Sequence, residues 1–389
     1  MSETVVVAAA RTPFGKFGGA LRDVPAVELG AQAIRAVVER SGVAGQDIDY
    51  AYMGMVLQAG AGQIPSRQAT MRAGLPATLP SDTINKVCAS SLRAVNLGDM
   101  MIRLGDAKVV LAGGMESMSR APYLLEKARY GYRMGNGELV DAVVHDGLWC
   151  AFSDCHMGMH GGNVAKELGV SRADQDDWAY RSQMLAKAAM EQGRLDDEVV
   201  PVRYEKAELL QDEGPRPEST REKLGQLRPV FSPDHDVTAG NAPGLNDGGS
   251  AILLMSKEEA QRRGLRPLAT ILSHGQVSQD PPYLATVPAL SAQVALKKAG
   301  LAAKDLSLVE INEAFASVAV TSTRMLGVDP EIVNPNGGAI AFGHPVGASG
   351  ARILMTMIYE LRRRGGGYGV AAICSGGGQG EATLVRVDG

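Results

Sequence analysis

The sequence predicts an α/β protein made of two similar halves, with a loop domain inserted within the first half. Three observations support this fold class: a pattern near the N-terminus that returns near the C-terminus, continuous apolar runs that alternate with helical stretches, and a long middle segment without a counterpart. Continuous apolar strands that alternate with helices indicate mainly parallel sheets covered by helices on both faces.

The internal repeat joins "AIRAVVERSGVAGQDIDYAYMG" in the first half to "AQVALKKAGLAAKDLSLVEINEAFA" in the second. Each stretch reads as an amphipathic helix, a turn of small residues with glycine, an acidic residue and a strand. Ser41 pairs with Ala299, and Asp47 pairs with Asp305, both at an offset of 258 positions. The constant offset indicates one structural unit used twice.

The same offset brings two loops into correspondence. It places Cys88 opposite Val346, so that "NKVCASSLRA" falls on "GHPVGASGAR". A helical stretch and then a buried-strand run follow each loop. We therefore expect the loops of Cys88 and His344 to lie at the same end of their sheets.

The domain boundaries follow from the repeat and from the segment that lacks a counterpart. Residues 119–245 are rich in Met, Gly and charge and read as an inserted loop domain that covers a site. Residues 1–118 with about 246–267 then form the first half, and residues 268–389 form the second.

Composition excludes several classes of function. The 389 residues carry a formal net charge of -4 with scattered basic residues, which is unlike a nucleic-acid-binding protein. No run is long enough to span a membrane, and the N-terminus lacks the features of a signal peptide. Four cysteines are too few for a disulfide framework, so we expect free thiols and a cytoplasmic location.

Four side chains, two of which stand beside glycine-rich turns, suit acyl transfer through a thioester. Cys88 precedes a helix, whose N-terminus favours a thiolate, and His344 can accept its proton. Asn312 with backbone N–H groups can stabilise an oxyanion, and Cys374 can move a proton at a carbon acid. Each also has a purely structural interpretation: Cys88 and Cys374 as packing residues, His344 as a core histidine, and Asn312 as a helix cap.

Six motifs then occur in a family-specific order along the chain: "NKVCASSLRAV", "VVLAGGMESMSRAPYLL", "TAGNAPGLNDGGSA", "EINEAFA", "NPNGGAIAFGHPVGASGARI" and "CSGGGQGEA". On these motifs the chain resembles the thiolases over essentially its whole length. The resemblance implies a five-layered αβαβα fold. It implies that Cys88 is acylated, that His344 is its base, and that Cys374 is a second acid/base. It also implies one oxyanion site from Asn312, through a water, and His344, and another from the N–H groups of Cys88 and Gly376.

The resemblance further implies a substrate class. The expected reaction joins two acetyl-CoA molecules into acetoacetyl-CoA and CoA, and runs in reverse as thiolysis, with no metal or redox cofactor. The segment "RYGYRMGNGELVDAVVHDGL" resembles the loop that ties tetramers in short-chain biosynthetic thiolases, so we expect a homotetramer, a dimer of dimers.

For the CoA thioester, the resemblance implies contacts from several parts of the chain. Leu148 and Trp149 fall near the acyl-pocket position of the family. The other expected substrate contacts are His156, Met157, Arg216, Lys223, Phe231, Ala239, Ala242, Pro243, Ala314 and Phe315. Arg216 and Lys223 fall near the nucleotide phosphates, with a solvated charged stretch as the alternative.

The chain departs from the family pattern at two places. Pro243 stands where a serine is frequent, which removes a hydroxyl contact to pantetheine. His160, Gly161 and Gly162 replace the usual "TAE" after "HMG".

Other interpretations remain open at this point. Cys150, Cys155, His156 and His160 include two histidines four residues apart and form a candidate zinc site, although thiolase chemistry leaves a metal no task. A broad-range degradative 3-ketoacyl-CoA thiolase, a ketoacyl synthase and a noncatalytic thiolase-like lipid carrier are the alternative functions. Cys374 argues against a synthase, and the four polar residues together argue against a carrier.

Overall fold

A computed structural model of the chain describes residues 2–389 and shows a mixed α/β protein. In this range the strands are β1 (Thr4–Arg11), β2 (Gly15–Lys16), β3 (Tyr50–Gly54), β4 (Ser81–Ile84), β5 (Val109–Ser117), β6 (Tyr123–Leu124), β7 (Val140–Asp141), β8 (Trp149–Cys150), β9 (Cys155–His156), β10 (Val202–Tyr204), β11 (Ala207–Leu209), β12 (Asn246–Ser256), β13 (Ala269–Ser278), β14 (Leu306–Ile311), β15 (Gly367–Ser375) and β16 (Gln379–Val387). The α-helices are α1 (Ala26–Ser41), α2 (Pro65–Arg72), α3 (Ser90–Leu104), α4 (Met157–Glu167), α5 (Arg172–Glu191), α6 (Arg221–Gly225), α7 (Lys257–Arg262), α8 (Val287–Ala299), α9 (Ala316–Leu326), α10 (Ala339–Phe342) and α11 (Ser349–Arg363).

The main strands form one continuous sheet in the order β14-β15-β16-β13-β1-β12-β5-β3-β4. Its two halves meet where the start of β1 pairs antiparallel with the start of β13. The prediction of mainly parallel sheets is wrong, because within residues 2–389 only β3–β4, β3–β5 and β14–β15 pair in parallel in this sheet. Strand β16 follows β15 through a tight turn and must run back against it. The uniformly apolar strands reflect cover on both faces, which does not require parallel pairing.

Helices cover both faces of each half, and the predicted five-layered α/β fold is confirmed. Helix α1 packs on the outer face of the first half, and α8 and α9 pack on the outer face of the second. Helices α3 and α11 pack against each other between the two halves of the sheet. One apolar cluster that includes Leu92 of α3 and Leu354 of α11 fills this central layer.

The predicted repeat is visible in the element boundaries. Strands β5 and β15 begin at Val109 and Gly367, at the predicted offset of 258 positions. Helices α1 and α8 both end at a left-handed glycine, Gly42 with φ 65° and Gly300 with φ 70°. A left-handed residue at this position closes the last turn without a Cβ clash, which explains the small-Gly turn in both copies.

The inserted segment is fastened to the first half by a buried charge cluster. Arg11 at the end of β1 donates to Glu198 at 2.7 Å and, through both terminal nitrogens, to Asp212 at 2.7 and 2.8 Å. All three side chains are buried. None of the helices described in residues 2–389 has the length and apolar character needed to cross a membrane.

Candidate active site

One pocket of about 380 Å³ brings together the thiols and the imidazole that the sequence singled out. Cys88 lies just before α3, His344 lies just before α11, and Cys374 lies at the end of β15. The two helices are the paired members of the central layer, so the repeat itself places these loops at one end of the sheet. Apolar side chains form most of the remaining wall, as in sites that exclude water from a reaction.

The Cys88 loop is held in a strained turn. Val87 has a φ of 43°, which is uncommon for a β-branched residue, and Ser90 fastens the turn by donating to Val87 O at 2.6 Å. Ser90 also accepts from Lys86 N at 2.8 Å, and Lys86 pairs with buried Glu381 at 2.5 Å. Glu381 lies on β16, so the Cys88 loop is anchored across the two halves.

Cys88 is a neutral thiol in this environment. Burial and the nearby Glu116 carboxylate raise its pKa to about 12, and its own backbone N–H opposes the rise only in part. The helix N-terminus therefore does not by itself produce a thiolate. In residues 2–389 Cys88 and His344 line the same pocket without a direct hydrogen bond.

His344 is oriented by a short hydrogen-bond chain. Ser349 donates its hydroxyl proton to Pro345 O at 2.9 Å, so it accepts from Nδ1 of His344 at 2.6 Å. This arrangement leaves Nε2 unprotonated, and Nδ2 of Asn312 donates to it at 3.4 Å. Asn246 fixes the backbone by accepting from His344 N at 2.9 Å. Burial and then the positive charge of Arg352 lower the pKa of His344 to about 3, so the ring is a neutral proton acceptor.

Asn312 follows β14 and does not cap a helix. Helix α9 begins at Ala316 after Phe315, and the Asn312 side chain plays no part in that cap. Its Oδ1 is buried with no hydrogen-bond partner among residues 2–389. A buried amide with an unused acceptor and a donor aimed at the imidazole is typical of a group that completes its bonding with a ligand or water.

A satisfied carboxylate next to Asn312 holds this loop in place. Glu313 accepts from Trp178 Nε1 at 2.8 Å, Ser182 Oγ at 2.7 Å, Asn334 Nδ2 at 3.0 Å and Ile340 N at 3.0 Å. These donors come from the insertion and from the second half. The insertion therefore positions the backbone next to Asn312 as well as covering the pocket.

Cys374 ends β15 at a glycine-rich hairpin. Gly377 and Gly378 have φ values of 74° and 68°, so the turn requires residues without a Cβ. A Cβ built on Gly376 would lie 3.2 Å from Val87, which shows how closely the hairpin approaches the Cys88 loop. Burial and the neighbouring Cys88 raise the pKa of Cys374 well above its ordinary value.

Two buried carboxylates beneath the pocket were not found by sequence reasoning. Glu116 accepts from the backbone N–H groups of Val56, Leu57 and Gly347 at 2.9, 3.2 and 3.1 Å and thereby joins loops of both halves. Burial raises its pKa to about 7. Its position in "GGMES" at the end of a buried strand was the available signal.

The second carboxylate, Glu310, pairs with Arg352 at 3.4 Å, and both side chains are 1% exposed. Glu310 lies on β14, two residues before Asn312, which follows the strand. Arg352 lies on α11, three residues after Ser349. This ion pair therefore links the two elements that carry the Asn312 amide and the hydroxyl that orients His344.

Most of the expected substrate contacts line the same pocket. Those that do are Leu148, His156, Met157, Phe231, Ala242, Pro243, Ala314 and Phe315. Gly376, the expected oxyanion donor, lines it as well. Further lining residues that the sequence did not suggest are Val87, Met118, Val144, Gly147, Gly244, Leu245, Leu284, Val346 and Ser375. Their apolar or small side chains carry no chemical signature in a sequence.

Three expected contacts and one neighbour lie elsewhere. Arg216, Lys223 and Ala239 lie outside the pocket wall. Arg216 donates to Ala239 O at 3.4 Å, and Lys223 donates to Glu218 O at 3.0 Å. Trp149, which the resemblance places near the acyl-pocket position, does not line the pocket. It is 41% exposed and donates from Nε1 to Asp154.

The pocket entrance depends on close packing against α4. The His156 ring stacks on Phe231 with centroids 4.3 Å apart, and its Nδ1 caps α4 by accepting from Gly158 N. A Cβ on Gly161 would lie 2.9 Å from Phe315, and one on Gly162 would lie 2.8 Å from His235. Gly161 and Gly162 thus let the rings of Phe315 and His235 pack against α4.

The candidate zinc residues are not arranged as a metal site. Among residues 2–389, no group of three or more His, Cys, Asp or Glu side chains is placed to hold a metal ion. Cys155 contacts His160 at 3.4 Å, while His156 stacks on Phe231.

Comparisons with known proteins agree with this geometry. Residues 4–258 match the model for the thiolase N-terminal domain, and residues 265–387 match the model for the thiolase C-terminal domain. The chain is 48% identical to an acetyl-CoA acetyltransferase of Pseudomonas aeruginosa, over 99% of this chain and 100% of the relative. It is 47% identical to an acetyl-CoA acetyltransferase of Cupriavidus necator over the same shares, and 47% identical to one of Escherichia coli over 99% of both chains.

Proposed function

The chain belongs to the thiolase family, and from that membership we propose that it is an acetyl-CoA C-acetyltransferase. It condenses two acetyl-CoA molecules to acetoacetyl-CoA and CoA through an acyl-cysteine intermediate, and it catalyses the reverse thiolysis. One observation carries the proposal. Two thiols and a neutral imidazole converge on a single apolar pocket. These three groups are the fewest that can transfer an acyl group to a thiol and then remove a proton from a second acetyl-CoA.

The first stage is acyl transfer to Cys88. As the Cys88 sulfur bonds to the thioester carbonyl carbon, Nε2 of His344 accepts the thiol proton. The bond from that carbon to the CoA sulfur breaks, and Cys374 donates its proton to the departing thiolate. The N–H groups of Cys88 and Gly376 stabilise the oxyanion. This stage leaves an acetyl group on Cys88, an imidazolium at His344 and a thiolate at Cys374.

The second stage is condensation. The Cys374 thiolate removes a proton from the methyl carbon of a second acetyl-CoA, and the raised pKa of this thiol makes its thiolate a strong base for that weak carbon acid. Asn312, through a water, and His344 stabilise the enolate oxygen. The carbanion bonds to the acetyl carbon on Cys88, and the released sulfur recovers its proton from His344. No metal or redox cofactor enters either stage.

Substrate binding is assigned to the pocket walls. His156, Met157 and Phe231 face the pantetheine, and Leu148 limits the acyl length. Pro243 contributes an apolar surface where a hydroxyl contact is frequent in the family. The nucleotide phosphates are assigned to Arg216 and Lys223.

We also propose a cytoplasmic homotetramer. The segment from Tyr123 to Leu139 exposes several large apolar side chains, among them Tyr130 at 91% and Met134 at 97%. Exposed apolar side chains concentrated in one loop are characteristic of an interaction surface. Light scattering on the purified protein would detect the tetramer, and a monomer or dimer would contradict it.

The decisive experiment is identification of the acyl-enzyme. The protein is incubated with acetyl-CoA, quenched in acid and mapped by peptide mass spectrometry. We expect acetyl on the peptide that contains Cys88, and none on those that contain Cys150, Cys155 or Cys374. Stable acetylation of Cys374 with Cys88 free would overturn the proposed roles.

A further inference from the structure

A short hairpin next to the pocket carries the two cysteines that the thiolase reaction does not use. Strands β8 and β9 pair antiparallel, with Cys150 directly opposite Cys155 and Trp149 opposite His156. Residues 151–154 form the turn, in which Asp154 has a φ of 47° and accepts from Trp149 Nε1 at 2.9 Å. The hairpin is therefore closed at its turn and fixed in register.

The register meets the stereochemical requirement of a disulfide. Directly opposed residues of an antiparallel pair have side chains on the same face and Cα atoms about 4.5–5.5 Å apart. A disulfide spans Cα separations of roughly 4.4–6.8 Å. Cys150 and Cys155 are both free thiols in this structure, and bonding their sulfurs requires no change of strand register.

A base lies against one of the two thiols. Nε2 of His160, on α4, is 3.4 Å from Sγ of Cys155. Burial lowers the pKa of His160, so its ring is neutral and can accept a proton, while burial and the neighbouring Cys150 and Asp154 raise the pKa of Cys155. The Cys155 thiol thus needs a base to react, and the structure supplies one.

Exposure distinguishes the roles of the two sulfurs. Cys150 is 3% exposed, whereas Cys155 is partly exposed beside the solvent-facing turn 151–154. A small oxidant can therefore reach Cys155 first. Cys150, on the opposite strand of the hairpin, is then placed to attack the oxidised sulfur of Cys155.

We propose that Cys150 and Cys155 are a site of reversible oxidation by hydroperoxides, separate from the catalytic thiols. His160 accepts the Cys155 proton as the sulfur attacks the peroxide and the O–O bond breaks. The proton passes from His160 to the departing oxygen, and Cys155 becomes a sulfenic acid with release of water or an alcohol. The Cys150 sulfur then attacks that sulfur, the S–O bond breaks as the disulfide forms, and the hydroxyl leaves as water with the Cys150 proton. Two thiols lose two electrons and two protons in total, and the peroxide is reduced. The bond joins strands that adjoin Leu148 and His156 in the pocket wall.

The test uses the full-length protein, hydrogen peroxide and peptide mapping. Cleavage after Lys and Arg leaves Cys150 and Cys155 together in residues 134–166, whereas Cys88 and Cys374 lie in other peptides. After treatment and alkylation of the remaining thiols, we expect this peptide to be unalkylated and to lack two hydrogen atoms. Dithiothreitol should restore two alkylation sites. Full alkylation of both cysteines under peroxide that oxidises Cys88 would overturn the proposal.

Three variants separate the steps. Cys150→Ser should accumulate a sulfenic acid on Cys155 that dimedone traps, because the second thiol is missing. Cys155→Ser should leave Cys150 reduced, since the buried thiol has no base of its own. His160→Gln should slow formation of the disulfide at pH 7 by at least tenfold. Dimedone labelling of Cys150 in Cys155→Ser, or an unchanged rate in His160→Gln, would contradict the assigned roles.

Discussion

The Ser349 hydroxyl accepts a hydrogen bond from Nδ1 of His344 at 2.6 Å while donating its own proton to Pro345 O. A hydroxyl has one proton, so this arrangement fixes the tautomer of the imidazole. Nε2 is left as the acceptor on the side of Asn312. Ser349 belongs to α11, and its side chain is buried, so the central layer of the fold sets the tautomer of His344, the proposed base.

Replacing Ser349 by Ala tests this relationship. The variant leaves Nδ1–H of His344 buried and unpaired, which costs about 1–3 kcal/mol, so we expect kcat/KM for thiolysis to fall roughly 10- to 100-fold. Ser322→Ala is a matched control, because Ser322 is also a buried helical serine that bonds a backbone carbonyl, away from the pocket. Steady-state kinetics of both variants decide the matter. Equal kcat/KM values for the two would show that Ser349 does not orient the base.

The buried Glu310–Arg352 pair should set the pH range of His344. The double variant Glu310→Gln/Arg352→Met removes the positive charge that disfavours imidazolium, so the pKa of His344 should rise from about 3. The ring is a base only above its pKa, and the acidic limb of kcat/KM should therefore move to higher pH. Both charges are removed because an unpaired buried charge costs roughly 3–5 kcal/mol and endangers folding. A lower rate with an unmoved acidic limb would show a structural role only.

Replacing each of the two proposed catalytic thiols should abolish a different step of the reaction. Cys374→Ser retains Cys88 and His344, so it should still be acetylated by acetyl-CoA, while condensation and exchange of the acetyl α-protons with deuterated water should be lost. Cys88→Ala should fail at acetylation. Mass spectrometry measures the first reaction and proton NMR the second. Condensation by Cys374→Ser at a rate near that of the unmodified protein would refute the acid/base role.

The sequence was sufficient for the fold class and for the residues whose chemistry is distinctive. Cys374 and His344 could be found because thiol and imidazole side chains beside glycine-rich turns are rare, and Cys88 could be found because the repeat predicted that its loop meets the loop of His344. Strand direction could not be predicted, since an apolar strand covered on both faces looks the same whether its neighbour is parallel or antiparallel.

The remaining site residues were missed because their role depends on packing. Val346, Met118 and Leu284 line the pocket with side chains that fill any protein core. Glu116 acts on the site through hydrogen bonds to residues distant in the chain, and Ser349 acts through a hydrogen bond to His344 whose geometry is defined only once the turn before α11 has formed. The pKa of Cys88 is higher than its place before a helix suggests. Desolvation raises it, and the extent of desolvation depends on burial that only the folded chain defines.

The acyl-chain preference should depend on Leu148, which lines the pocket at the end of the π-helical turn Val143–Leu148. An apolar pocket discriminates by about 1–3 kcal/mol per methylene, so kcat/KM in thiolysis should be highest for acetoacetyl-CoA and fall steeply with each two-carbon extension. Leu148→Ala opens space beside the acyl group and should raise kcat/KM for the six-carbon 3-ketoacyl-CoA relative to acetoacetyl-CoA by roughly tenfold. Trp149→Ala is the matched control, because this larger neighbouring side chain does not line the cavity and should leave the ratio unchanged. Equal kcat/KM for four- and ten-carbon substrates in the unmodified protein would instead indicate a broad-range degradative thiolase, with the roles of Cys88, His344 and Cys374 unaffected.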